Sequence, residues 1–128
     1  MLQNVLIVDD SPAMRIVLRR TLAMSGITYS QCRFAANGFE ALQVITTEPI
    51  DLVLTDINMP AMDGEELVQQ LSATGRLASL PVIVISTDAT KDRMDRLLGL
   101  GARGYVTKPF EPAQLGQVIA SALESPRE

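Results

Sequence analysis

Residues 50–64 read IDLVLTDINMPAMDG: a short run of Ile, Leu and Val ends on a carboxylate, Asp56, then meets Pro60 and Gly64. The run lacks the alternation of a strand with one wet face, so it reads as a parallel strand buried on both sides. NVLIVDD at 4–10 and PVIVIST at 81–87 have the same character, RGYVTK at 103–108 is a shorter strand, and YSQCRFA at 29–35 is a weaker one.

Helical spacing fills the gaps. After Ser11 as N-cap and Pro12 in the first turn, Met14, Val17, Leu18, Thr21 and Leu22 trace one face before Gly26. Phe39, Leu42 and Ile45 do so before Pro49, and Leu67, Val68 and Leu71 follow Gly64. Met94, Leu97 and Leu98 form a shorter stripe before the glycines at 99, 101 and 104, and Leu115, Val118, Ile119 and Ala122 mark a last helix. Five βα units with right-handed crossovers predict one doubly wound α/β domain over residues 1–128, a three-layer (βα)5 sandwich around a five-stranded parallel sheet. The closing ESPRE reads as a frayed end.

Composition narrows the function. The 128 residues are 47% hydrophobic, 4% aromatic and 20% charged, with a formal charge of −4, a balance that excludes the basic footprint of a dedicated nucleic-acid binder. A single cysteine and no histidine exclude an internal disulfide and the commoner zinc sites. No basic leader is read at the start, and no apolar run approaches the roughly 20 residues that cross a bilayer, so a cytoplasmic location without membrane contact is expected.

Ligands of open α/β sheets bind beyond the carboxyl ends of the strands, near a change in strand order. Those ends carry Asp9 and Asp10, Asp56, Ser86 with Thr87, and Lys108. Each alone reads as a turn or cap residue. Together, three carboxylates on one edge repel unless a cation compensates, and Mg2+ suits such oxygen ligands. Lys108 would add a second positive charge and the Ser86 hydroxyl a hydrogen bond, which makes a phosphoryl site. Asp56 is the best nucleophile, because Asp9 and Asp10 come as a pair fit to hold metal. With no histidine in the chain, a phosphohistidine donor must lie on another protein.

The separated segments VDDS, TDINMP, VIST and TKPF, in that order, resemble a response-regulator receiver domain, most closely the stand-alone chemotaxis type. The resemblance spans the whole chain and implies the flavodoxin-like strand order 2-1-3-4-5. It also implies that Asp10 ligates Mg2+ directly and Asp9 largely through water, that Asp56 accepts the phosphoryl group, and that the Asn58 main-chain carbonyl completes the metal site. Ser86 matches the switch hydroxyl, Lys108 the family's lysine, Lys108–Pro109 a bond usually cis, and Tyr105 the aromatic that turns inward when Asp56 is phosphorylated. The implied partners are a histidine kinase and a downstream protein such as a flagellar motor switch, another kinase or an output domain. They would be reached by a monomer through the fourth helix, fifth strand and fifth helix. In a motor regulator, Tyr105, Lys91 and the last helix would meet a short partner helix.

The chain departs from the family at Thr87, where alanine is usual. Asn58 and Asp88 hold the positions that help set acyl-phosphate lifetime, and a carboxylate at Asp88 could either orient a hydrolytic water or repel the phosphoryl group. Each motif residue also has a plainer role to beat. Tyr105 would otherwise be a half-buried strand aromatic, Pro109 a turn residue, Gly64 the close approach into the third helix, Cys32 a small buried strand residue, and Met59 and Met62 gap-fillers. Two other function classes remain in view. An aspartyl-phosphate phosphohydrolase would need a second carboxylate where DIN has Asn58, and room for a cap over its substrate. An unphosphorylated pseudo-receiver scaffold would be distinguished by failure to bind Mg2+.

Overall fold

The computed structural model describes residues 2–88 and 90–124; residues 125–128 of the predicted frayed end lie outside them. The chain runs β1 (Leu2–Val8), α1 (Pro12–Ala23), β2 (Tyr29–Ala35), α2 (Gly38–Thr47), β3 (Leu52–Asp56), α3 (Gly64–Ala73), β4 (Val82–Ser86), α4 (Lys91–Leu100), β5 (Gly104–Thr107) and α5 (Pro112–Glu124). A 3-10 turn at Arg76–Ala78, which the sequence did not announce, leads from α3 toward β4. The five strands form one parallel sheet in the predicted order β2-β1-β3-β4-β5.

Consecutive strand residues serve opposite layers, as the period of two requires. Val5, Ile7, Leu52, Leu54, Ile83 and Ile85 join Leu18 and Leu22 of α1 and Leu115 and Ile119 of α5. Leu6, Val8, Val53, Val82 and Val84 join the α2, α3 and α4 side through Ala41, Ile45, Leu67, Val68, Leu71 and Leu97. The near-continuous apolar reading of β1, β3 and β4 follows from burial on both faces.

Helix ends behave as their sequences direct. Ser11 caps α1, its hydroxyl accepting from the Met14 amide at 3.2 Å, with Pro12 as the first helical residue. Asp63 and Glu66 form a reciprocal capping box on α3. Three predicted faces need rotation. Val17 is 49% exposed, so α1 buries only Leu18 and Leu22 fully, and on α4 only Leu97 is buried while Leu98 is 42% exposed. On α2, Phe39 is 55% exposed. Small Gly38 and Ala41 face inward there, because a Cβ at Gly38 would run into the Met62 side chain. Cys32 is half-buried rather than buried, since β2 is an edge strand, and desolvation raises its thiol pKa to about 11. No helix among the described residues is long and apolar enough to cross a membrane.

Candidate functional site

The order change between β1 and β3 brings Asp9 beside Asp56, because Val8 pairs with Thr55 across the two strands. Oxygens of Asp9, Asp10 and Asp56 all lie within 4.8 Å of one another, with Asp9 buried and Asp10 exposed. Asp9 is held by its backbone: its amide donates to the Ala35 carbonyl at 3.0 Å, and its carbonyl accepts from Arg15 Nη1 at 2.7 Å. Its Oδ1 accepts from the Ser11 amide at 2.9 Å. Its Oδ2 is buried and has no hydrogen-bond donor.

That orphan oxygen sets the electrostatics. Burial raises the Asp9 pKa, with the nearby Asp56 and Asp10 charges adding to the effect and the Ser11 amide and Lys108 opposing it. Lys108 Nζ lies 4.0 Å from Asp9 Oδ2 and 3.7 Å from Asp56 Oδ1, so one ammonium stands at loose range from two of the three clustered carboxylates. Hard oxygen donors with a surplus of negative charge and an unsatisfied buried lone pair fit a divalent cation of the Mg2+ type.

The rest of the pocket follows from strand register. Asp56 ends β3 and directs Oδ1 to the Ile57 amide at 2.8 Å. The next segment turns back through Ala61, whose φ is 66°, and the Gly64 amide donates to the Ile57 carbonyl at 2.8 Å. A Cβ on Gly64 would collide with the Asp56 carbonyl oxygen, so glycine alone lets α3 start against the site. Asn58 is exposed in this turn and Met59 half-buried, while Met62 is buried in the core, the gap-filling role expected of it.

Ser86 is buried at the end of β4, and its carbonyl accepts the Lys108 amide at 2.8 Å, which ties β4 to the Lys108–Pro109 bond; that bond is cis. Ser86 Oγ accepts from the Asp88 amide at 3.0 Å, and the Tyr105 hydroxyl donates to the Asp88 carbonyl at 2.6 Å. Thr87 between them is exposed. The Asp88 carboxyl is held below the usual carboxylate range, first by the Thr90 amide at 2.9 Å, next by the Thr90 side chain, and less by Arg93 at 3.3 Å. The structure thus gathers Asp9, Asp10, Asp56, Ser86 and Lys108 at one edge, with Tyr105 tied to Ser86 through the Asp88 backbone. Sequence reading missed an ionic cluster of Glu65, Arg93 and Arg96 beside it, whose members lie 28 and 31 positions apart with no periodic signal.

A doubly wound sheet with an acidic pocket at its switch point and a lysine opposite is the arrangement of a receiver domain. The family model described as "Response regulator receiver domain" matches residues 5–120, and the chain belongs to that family. Receiver domains bind Mg2+ at an acidic site, the position occupied here by the Asp9, Asp10 and Asp56 cluster. A chemotaxis protein CheY homolog of Campylobacter jejuni strain 81-176 is 33% identical over 121 residues, 94% of this chain and 92% of the relative. A "Probable transcriptional regulator ycf27" of Cyanidium caldarium is 38% identical over 122 residues, 94% of this chain but only 46% of the relative. Among solved structures, the CheX-CheY-BeF3-Mg2+ complex from Borrelia burgdorferi contains a chain 31% identical, with a TM-score of 0.81, covering 95% of this chain and 90% of that one.

Proposed function

We propose that this chain is a phosphorylation-controlled signalling switch, a monomeric cytoplasmic receiver that accepts a phosphoryl group on Asp56 from a histidine kinase. The observation that carries the reading is the underpaired charge at the site: a buried Asp9 oxygen without a donor, two neighbouring carboxylates, and Lys108 Nζ 3.7 Å from Asp56. Asp9, Asp10 and Asp56, with the Asn58 carbonyl, would hold Mg2+. When bound, the ion neutralises charge on the transferring oxygens.

Asp56 supplies the nucleophilic oxygen. Its bond to phosphorus forms as the phosphorus–nitrogen bond of the donor phosphohistidine breaks; the bonding pair leaves with the imidazole, which takes a proton from solvent. Lys108 offsets the charge gathered on the phosphoryl oxygens, and the Ser86 hydroxyl offers them a hydrogen bond. Water later attacks phosphorus, returning the Asp56 carboxylate and inorganic phosphate. Output runs through Ser86 and Tyr105, which both bond to the backbone of Asp88 and so sense one segment in common. The receiving surface is the α4, β5 and α5 face, and the partner is a motor switch, another kinase or an output domain. The Borrelia burgdorferi CheY, solved as a complex with CheX, supports a protein partner of this general kind.

The test is intact-protein mass after incubation with acetyl phosphate, with and without Mg2+. The expected result is one labile, metal-dependent phosphoryl adduct on the wild type and none on Asp56→Asn. A folded wild type that takes no adduct would replace this reading with an unphosphorylated scaffold.

A further inference from the structure

We infer that Arg93 is a positioning residue for the switch, turning the Asp88 carboxylate away from the reaction and latching Asp88, just beyond β4, onto α3. Its guanidinium is a fork between two acids: Nη1 lies 3.3 Å from Asp88 Oδ2 and Nη2 3.3 Å from Glu65 Oε1. Glu65 is anchored further by Arg96, through Nε at 2.8 Å and Nη2 at 2.9 Å. The Glu65 and Arg93 side chains are only 15% and 24% exposed, so water competes weakly for this bridge.

The latch joins the two halves of the site. Glu65 follows Gly64, which sits on the Asp56 carbonyl, so one end of the bridge moves with the β3 terminus. Asp88 forms the other end. Its amide donates to Ser86 Oγ and its carbonyl accepts from Tyr105, so its backbone is shared by both proposed switch residues. Both oxygens of its side chain have a protein partner: Oδ1 accepts the Thr90 amide and Oδ2 faces Arg93. Of the two roles open to a carboxylate at this position, orienting a hydrolytic water requires an oxygen turned toward the phosphoryl group, and here Oδ2 is turned toward Arg93 instead. Loss of Arg93 frees Oδ2 and unties Asp88 from Glu65, leaving Oδ1 on the Thr90 amide. A surface ion pair without this role would affect neither Ser86 nor Tyr105.

The inference rests on the proposed phosphorylation of Asp56 for its kinetic consequence but not for its structural one, and the experiment separates them. Amide hydrogen exchange on the unphosphorylated wild type, Arg93→Ala and Arg93→Lys, each checked for folding by circular dichroism, reads the latch directly. Asp88 and Thr90 should exchange about tenfold faster in Arg93→Ala, with partial recovery in Arg93→Lys, whose point charge reaches one acid and cannot bridge two. Unchanged exchange overturns the latch, whether or not the protein takes a phosphoryl group.

The second arm follows decay of the acetyl-phosphate adduct. Arg93→Ala should shorten its lifetime by about tenfold through the freed carboxylate, while the initial rate of adduct formation at a fixed donor concentration stays at the wild-type value. In an Asp88→Asn background the same Arg93→Ala change should leave the lifetime within about twofold. An equal effect in both backgrounds would overturn the role assigned to Asp88. Absence of any adduct on the wild type would instead overturn the phosphorylation reading, and hydrogen exchange alone would then decide whether the latch stands.

Discussion

Two clusters of carboxylates lie close together and are treated in opposite ways. Around Asp56, three acids crowd together while one lysine reaches two of them, at 3.7 Å and 4.0 Å, and an Asp9 oxygen is buried without a donor. Around Glu65, two acids meet two arginines at 2.8 Å to 3.3 Å. Burial pushes the Asp9 pKa up, whereas hydrogen bonds from Arg96 pull the Glu65 pKa down despite some desolvation. The first cluster stores unsatisfied charge that a cation or phosphoryl group can use; the second has committed its charge to holding α3 to α4.

The sharpest way to break this contrast is to remove the Lys108 ammonium from the open cluster. Lys108→Ala should slow phosphorylation by acetyl phosphate by about 100-fold, the scale of losing one donor to a developing anion, measured as the initial rate of adduct formation. Gly64→Ala attacks the backbone link between the clusters. It should destabilise the fold by about 2 kcal/mol in urea titrations, since the new methyl must displace the Asp56 carbonyl.

Smaller effects test the sign of each charge. Asp9→Asn keeps an acceptor for the Ser11 amide and removes a desolvated, repelled charge. The metal-free protein should gain about 1 kcal/mol in EDTA while losing its stabilisation by added Mg2+, both read from thermal melts. Glu65→Gln should cost about 1 kcal/mol or less, because Arg96 is 52% exposed, and the loss should shrink in high salt. Glu65 has its folded pKa below the ordinary value of 4.5, so its contribution is present above that pH and fades as pH falls through the folded value. The wild type and Glu65→Gln should therefore converge in stability on acidification, while a constant gap down to low pH would show that Glu65 acts through packing alone.

Legibility in the sequence divided along the same line. β1, β3 and β4 could be read because strands buried on both faces leave unbroken apolar runs, and their carboxyl ends carried Asp9, Asp10, Asp56 and Ser86 openly. The α2 stripe was rotated because tight packing used Gly38 and Ala41, residues that carry little apolar signal, and turned the large Phe39 outward. The Glu65, Arg93 and Arg96 cluster could not be read at all. Pairing between α3 and α4 depends on how two helices approach in space, and a 28-residue separation leaves no period to detect. Asp88 fell between: its position was flagged, but its pairing with Arg93 was not.

The bond from Tyr105 to the Asp88 carbonyl also has an optical consequence. The chain contains no tryptophan and two tyrosines, of which Tyr29 begins the edge strand β2 and Tyr105 lies on β5. With Tyr29 replaced by phenylalanine, tyrosine emission would come from one ring, and that ring's phenol is bonded to Asp88, whose amide also meets Ser86. The molecule carries its own fluorophore at the joint that matters, so the making and breaking of a single hydrogen bond can be followed in solution without attaching a dye.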